Sequence, residues 1–162
     1  AEDPEFGVVL IERGHEVGGG EARFDVGTVA RLERVVPQEG AIPVVARGTR
    51  RFEVEEWLDD DPYPRARVRF LPDLDWNDAL DPMLAEAESI VRRVLARVAA
   101  TSATQWEPDV ELADDRLSRA WQVAAISPLG PIDQLELLRS TTVGGLLRAT
   151  IDLTLAVEEL LS

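Results

Sequence analysis

The sequence has no cysteine, no lysine, one histidine and one tyrosine. Without cysteine there is no disulfide framework and no thiolate metal site. Without lysine, a phosphate-cradling loop ending in Gly-Lys-Ser/Thr is excluded, and so are a Ser–Lys dyad and a Schiff base. The chemistry expected is therefore ATP-independent. A metal site at His15 would need an all-carboxylate shell around it. The expectation is an exposed loop histidine, with no metal and no cofactor. No apolar run approaches the ~18 residues that span a bilayer, and no basic-then-apolar leader is present. A cytoplasmic protein without a membrane partner is the simplest reading.

What is present is enough for a core. The chain has 162 residues, 45% of them hydrophobic and 30% charged, which suits one domain or two small ones. All 17 basic residues are arginine, against 31 acids, for a net charge of -14. Residues 1–73 hold 10 arginines and 16 acids; residues 74–162 hold 7 and 15. Neither half has the basic surplus through which phosphate contacts supply affinity, so the charge argues against nucleic acid.

The hydrophobic period changes near residue 72. Before it, "FGVVLIER", "FDVGTVARLERVV", "AIPVVARGTRRFEVEEW" and "YPRARVRFL" read as strands separated by Gly, Pro and Asp clusters. In the second, Val26, Thr28, Ala30 and Leu32 alternate onto one face. Strands that follow one another without intervening helices favour an antiparallel sheet or small barrel. After "PDLDWNDALDP", Leu80, Leu84, Ala87, Val91, Val94 and Val98 trace one helix face. Asp81 reads as its N-cap and Pro82 as its first-turn proline. Further helices are expected from about Asp114 to Ala125, from Gly130-Pro131 with Ile132, Leu135 and Leu138 inward, and from Thr142. The last carries a stripe of Leu146, Thr150, Leu153, Val157 and Leu160. The predicted architecture is α+β: residues 1–72 form a β part and residues 73–162 a bundle of about four helices packed on it.

The segment Val44–Trp57 gathers arginines and glutamates. Folding it antiparallel against Tyr63–Leu71 about Asp60 sets Glu55 opposite Arg65, Glu53 opposite Arg67 and Arg51 opposite Arg69. Val54 then meets Ala66, Phe52 meets Val68, and Trp57 pairs with Tyr63. Gly48-Thr49 inside the strand predicts a bulge. Arg47, Arg50, Arg51 and Arg69 are left to face a carboxylate, either of this chain or of a ligand.

Catalytic patterns are scarce. Ser89 and Ser118 fall in predicted helices, and no Gly-x-Ser-x-Gly elbow occurs. Gly18–Gly20 leads into a strand pattern, not a helix, and reads as a flexible hairpin loop. Asp59–Asp61 lacks the spacing of a calcium loop and reads as a solvated turn. Paired acids are plentiful, so a small carboxylate-based hydrolase stays open as an alternative.

Three segments in order, "FGVVLIERGHEVGGGEARFDVGTVARLERV", "IPVVARGTRRFEVEEW" and "SPLGPIDQLELLRSTTVGGLLR", resemble the Lon protease N-terminal domain. The resemblance implies a PUA-like antiparallel β-barrel followed by a helical bundle. It also implies a non-catalytic polypeptide-recognition role, as a stand-alone bacterial adaptor or sensor. The expected partner-binding residues are Arg47, Arg50, Arg51, Trp57, Tyr63, Arg69 and Trp76. An RNA-binding role, which the PUA-like fold also serves, is the second alternative. The opening departs from the family: "AEDPE" runs directly into Phe6, where relatives carry a Pro-Leu-Phe-Pro-like strand. The expectation is that the first barrel strands are missing and that a homo-dimer or a complementing N-terminal segment completes the barrel.

Overall fold

The computed structural model describes residues 4–12 and 22–162. His15 and Gly18–Gly20 lie outside them. The chain divides into two compact units, Ala1–Asp73 and Leu74–Ser162. The first is a sheet and the second is helical, so the fold is α+β.

Four strands form the sheet: β1 (Glu5–Glu12), β2 (Ala22–Val35), β3 (Val44–Leu58) and β4 (Arg65–Phe70). Their order is β1-β2-β3-β4, with every neighbouring pair antiparallel. The sheet winds around Phe52, which is 3% exposed. Its ring lies against two glycines. A Cβ added to Gly27 would fall 2.6 Å from Phe52 Cζ and 2.4 Å from the Val8 carbonyl oxygen. One on Gly7 would fall 3.1 Å from the same ring atom. Glycine at these positions lets three strands close over one aromatic side chain.

Two expectations about the strands are corrected. In β2 the buried residues are Val26, Gly27, Val29 and Ala30, so the simple alternation through Thr28 and Leu32 fails. A 14-residue strand that bends between neighbours buries parts of both faces. In the β3–β4 hairpin, Glu53 pairs with Arg69, Val54 with Val68, Glu56 with Arg67 and Trp57 with Ala66. The predicted register is displaced by two residues. A bulge between Val54 and Glu56 then removes Glu55 from the pairing altogether. The expected bulge at Gly48-Thr49 is present: Val29 faces Arg50 and Ala30 faces Gly48, leaving Thr49 without an opposite residue.

The helical unit opens with a 3-10 turn, Asp78–Leu80, capped by the Asn77 side chain on Ala79 N–H. Helix α1 (Asp81–Ala99) follows, so Asp81 is the first helical residue and Leu80 the cap. Helices α2 (Arg116–Ile126), α3 (Pro131–Leu138) and α4 (Val143–Leu160) complete the unit. Asp115 and Thr142 cap α2 and α4, each accepting a backbone N–H three residues on. Leu84, Ala87, Val91 and Val94 of α1 join Val123 of α2 and Val143, Leu146 and Leu147 of α4 in one core. Removing these side chains from water is the main stabilising term. The edges of the predicted stripes miss: Ile132 is 59% exposed and Leu160 is 87% exposed, while Leu137 is buried.

Candidate functional site

The sequence pointed to the arginines around Gly48, and the sheet disposes of most of them internally. The bulge at Thr49 is pinned by its hydroxyl, which donates to the Val29 carbonyl at 3.2 Å. Arg50 and Arg31 then both reach Glu5, one on each carboxylate oxygen, at 3.0 Å. The guanidinium of Arg31, with that of Arg50, holds the Glu5 carboxyl below the usual carboxylate range. Arg47 donates to Glu33 at 2.5 Å. Across the hairpin, Arg69 pairs with Glu53 and Arg67 with Glu56. Arg51 Nη2 donates to the Pro72 carbonyl at 2.9 Å. Burial lowers the Arg51 pKa, and the nearby Asp73 carboxylate opposes that. The carboxylates facing Arg47, Arg50 and Arg69 therefore belong to this chain. A phosphate ligand would have to displace each of them.

Two arginines lie over aromatic rings. Arg50 lies over the Phe70 ring at 4.2 Å from its centroid, and Arg23 over the Trp57 indole at 4.7 Å. Strand pairing puts Phe52 with Phe70, Val54 with Val68 and Trp57 with Ala66, so these six share one face. Phe52 is its buried centre. Trp57 and Phe70 are its accessible ends, 38% and 48% exposed. This face is apolar, flanked by Arg23 and by Arg50, which is already paired with Glu5, and suited to stacking on an apolar or aromatic side chain.

The other predicted residues stand elsewhere. Tyr63 lies in the β3–β4 turn and is 65% exposed. It closes no pair with Trp57 in the strand register, where Leu58 and Arg65 are the last partners. Trp76 belongs to the helical unit, where it packs on the core and its Nε1 donates to Asp78 Oδ1 at 3.1 Å. The residues missed by sequence reasoning are Arg23, Phe70, Glu5 and Glu33. Phe70 was within reach, because it continues the alternation Ala66, Val68. The two glutamates were not, since only the strand pairing brings them to their arginines.

Among the described residues, no group of three or more histidine, cysteine or acidic side chains could hold a metal ion. No helix among them is long and apolar enough to cross a membrane.

Residues 1–155 match the model of the ATP-dependent protease La (LON) substrate-binding domain. The chain is 29% identical over 123 residues to Lon protease 2 of Herpetosiphon aurantiacus, covering 71% of this chain and 14% of that protein. It is 34% identical over 94 residues to the Lon protease of Anaeromyxobacter dehalogenans, covering 57% of this chain and 11% of that one. It thus spans a seventh or less of these relatives. The N-terminal domain of a Mycobacterium avium complex Lon protease has the same fold, with a TM-score of 0.57 at 19% identity. That alignment covers 94% of this chain and 90% of the other.

Proposed function

The chain belongs to the family of Lon substrate-binding domains, and on that premise we propose that it is a non-catalytic module that recognises polypeptides. The observation that carries this reading is the family match over residues 1–155, nearly the whole chain. The sheet supports it with an apolar face bearing Trp57 and Phe70 at accessible positions. Tyr63, in the β3–β4 turn, and the arginines form the rim of the proposed site. Rim charges tune encounter and specificity more than affinity. The module acts as an adaptor or sensor without ATP hydrolysis of its own, since the sequence holds no lysine for a phosphate-cradling loop. It works in the cytoplasm.

The test uses the 162-residue chain and a reduced, carboxamidomethylated polypeptide that cannot fold, beside its folded, disulfide-bonded parent. Binding followed by fluorescence anisotropy is expected for the unfolded form and absent for the folded one. Equal binding to both, or none, rejects the reading. Trp57→Ala should weaken the unfolded polypeptide several-fold while moving the melting temperature little. Unchanged affinity removes Trp57 from the site.

A further inference from the structure

The β2–β3 hairpin extends well beyond its neighbours. β1 pairs with β2 only as far as Arg31, and β4 pairs with β3 only from Phe52. Beyond the bonds from Leu32 N–H to the Pro4 carbonyl and from Leu71 N–H to the Arg51 carbonyl, the two strands pair only with each other as far as the turn at Gln38–Ala41, among the described residues. Gly40 sits in that turn at φ +80°, a conformation that glycine adopts freely. Every residue from 33 to 50 is exposed. Among them Val35 is 45% exposed, Val36 38%, Ile42 73%, Val44 52% and Val45 41%.

An exposed two-stranded ribbon with an apolar end is a place where another chain pairs. Along β3, the outer backbone edge from Val44 to Arg50 has no backbone partner among the described residues. That edge dictates an extended occupant, because only an extended strand satisfies alternating N–H and C=O groups. The side chains dictate an apolar one. Residues 32–47 carry Glu33 and Glu39 against Arg34 and Arg47, for a net charge of zero in a chain of net charge -14. An acidic occupant would be repelled by the rest of the molecule and gain nothing from the ribbon. A second copy also fits poorly. The five exposed side chains offer on the order of 400 Å², against about 800 Å² per partner in a standard stable interface.

We propose that the end of the β2–β3 ribbon docks an extended, apolar, non-acidic polypeptide segment by strand addition along Val44–Arg50, with Ile42, Val44 and Val45 contacting its side chains. This rests on the polypeptide-recognition reading and adds to it a second contact surface and a ligand chemistry. It requires a surface distinct from the face around Phe52.

The probe is a fluorescein-labelled ten-residue peptide of alternating valine and threonine with an arginine at each end. Its control has glutamate at both ends. The intact chain should bind the basic peptide at least tenfold more tightly than the acidic one. The double variant Ile42→Ser, Val44→Thr, whose changes are exposed and compatible with a strand, should weaken the basic peptide about tenfold and leave the melting temperature unchanged. The same variant should lose affinity for the carboxamidomethylated polypeptide. If it binds that polypeptide as well as the parent chain does, the ribbon is not the site, although the recognition reading stands. If the parent chain binds neither probe, both fail. A concentration-dependent dimer in sedimentation that the double variant abolishes would make the ribbon a self-interface and overturn the proposal.

Discussion

Two threonines on α4 illustrate how much depends on where one hydroxyl is aimed. Thr150 and Thr154 are both fully buried, four residues apart on the same helix face. The Thr150 hydroxyl donates to the Leu146 carbonyl at 2.7 Å. The Thr154 hydroxyl has no partner among the described residues. A buried hydroxyl without a hydrogen bond costs about 1–3 kcal/mol of desolvation, whereas one bonded back to its own helix roughly breaks even. Thr154→Val keeps the shape and removes the orphan group. It should raise the urea midpoint, by about 1 kcal/mol in unfolding free energy. Thr150→Val should leave stability unchanged or slightly lower. A Thr154→Val protein no more stable than the parent would show that the hydroxyl is satisfied in solution.

At the scale of elements, the β3–β4 hairpin shows what a register depends on. Cross-strand charge pairing was legible in the sequence, and the partners were not. The alternation of Arg65, Arg67 and Arg69 places three cations on one face. The bulge at Glu55, however, depends on backbone that no residue type announces, and it replaces Glu55 with Glu56. The helices were legible for the opposite reason. Asp115 and Thr142 are caps, and Pro82 and Pro131 stand in first turns, so local chemistry marks those boundaries. Ile132 and Leu160, near helix ends where packing partners run out, escaped their stripes. In the candidate site, Trp57 was legible as an accessible aromatic. The carboxylates that neutralise Arg47 and Arg50 were hidden by sequence separations of 14 and 45 residues. The observed register makes a direct prediction. A double-mutant cycle on Glu53→Ala and Arg69→Ala should give a coupling of about 0.2–1 kcal/mol, as for an exposed cross-strand pair. The same cycle on Glu53 and Arg67, the pair expected from symmetry about Asp60, should give a coupling near zero. A larger coupling for Glu53–Arg67 would mean the hairpin in solution is shifted by two residues.

Across the whole molecule, acid stability is set by carboxylates that arginines and one N–H hold in their charged form. Glu88 binds Arg119 at 2.7 and 2.9 Å and Arg92 at 2.9 Å. Those arginines in turn reach the carbonyls of Pro108, Val110 and Ala113, tying the segment between α1 and α2 to the helices. Glu158 joins Arg93 and Arg97 of α1 to α4. Arg119 first, and Arg92 with it, lowers the Glu88 pKa; Arg93 and then Arg97 lower that of Glu158; Arg31 lowers that of Glu5; and the Ser118 backbone N–H lowers that of Asp115. A carboxyl whose folded-state pKa is depressed binds its proton more readily in the unfolded chain. Its stabilising contribution is therefore complete above the ordinary carboxylate values of 4.5 for glutamate and 3.8 for aspartate, and it fades as pH falls through the folded-state values. The net charge acts in the opposite direction above that range. At neutral pH the chain carries -14, and self-repulsion eases as pH drops toward the pI of about 4.4. The urea midpoint should thus rise modestly from about pH 7 to about pH 5.5 and fall steeply between about pH 4.5 and about pH 3. Glu88→Gln keeps the side-chain shape but removes the charge that Arg92 and Arg119 share. It should lower the midpoint at about pH 7 and make the acid limb shallower, because one of the groups whose protonation drives it is gone. An acid limb as steep in Glu88→Gln as in the parent chain would place the acid sensitivity in the other carboxylates.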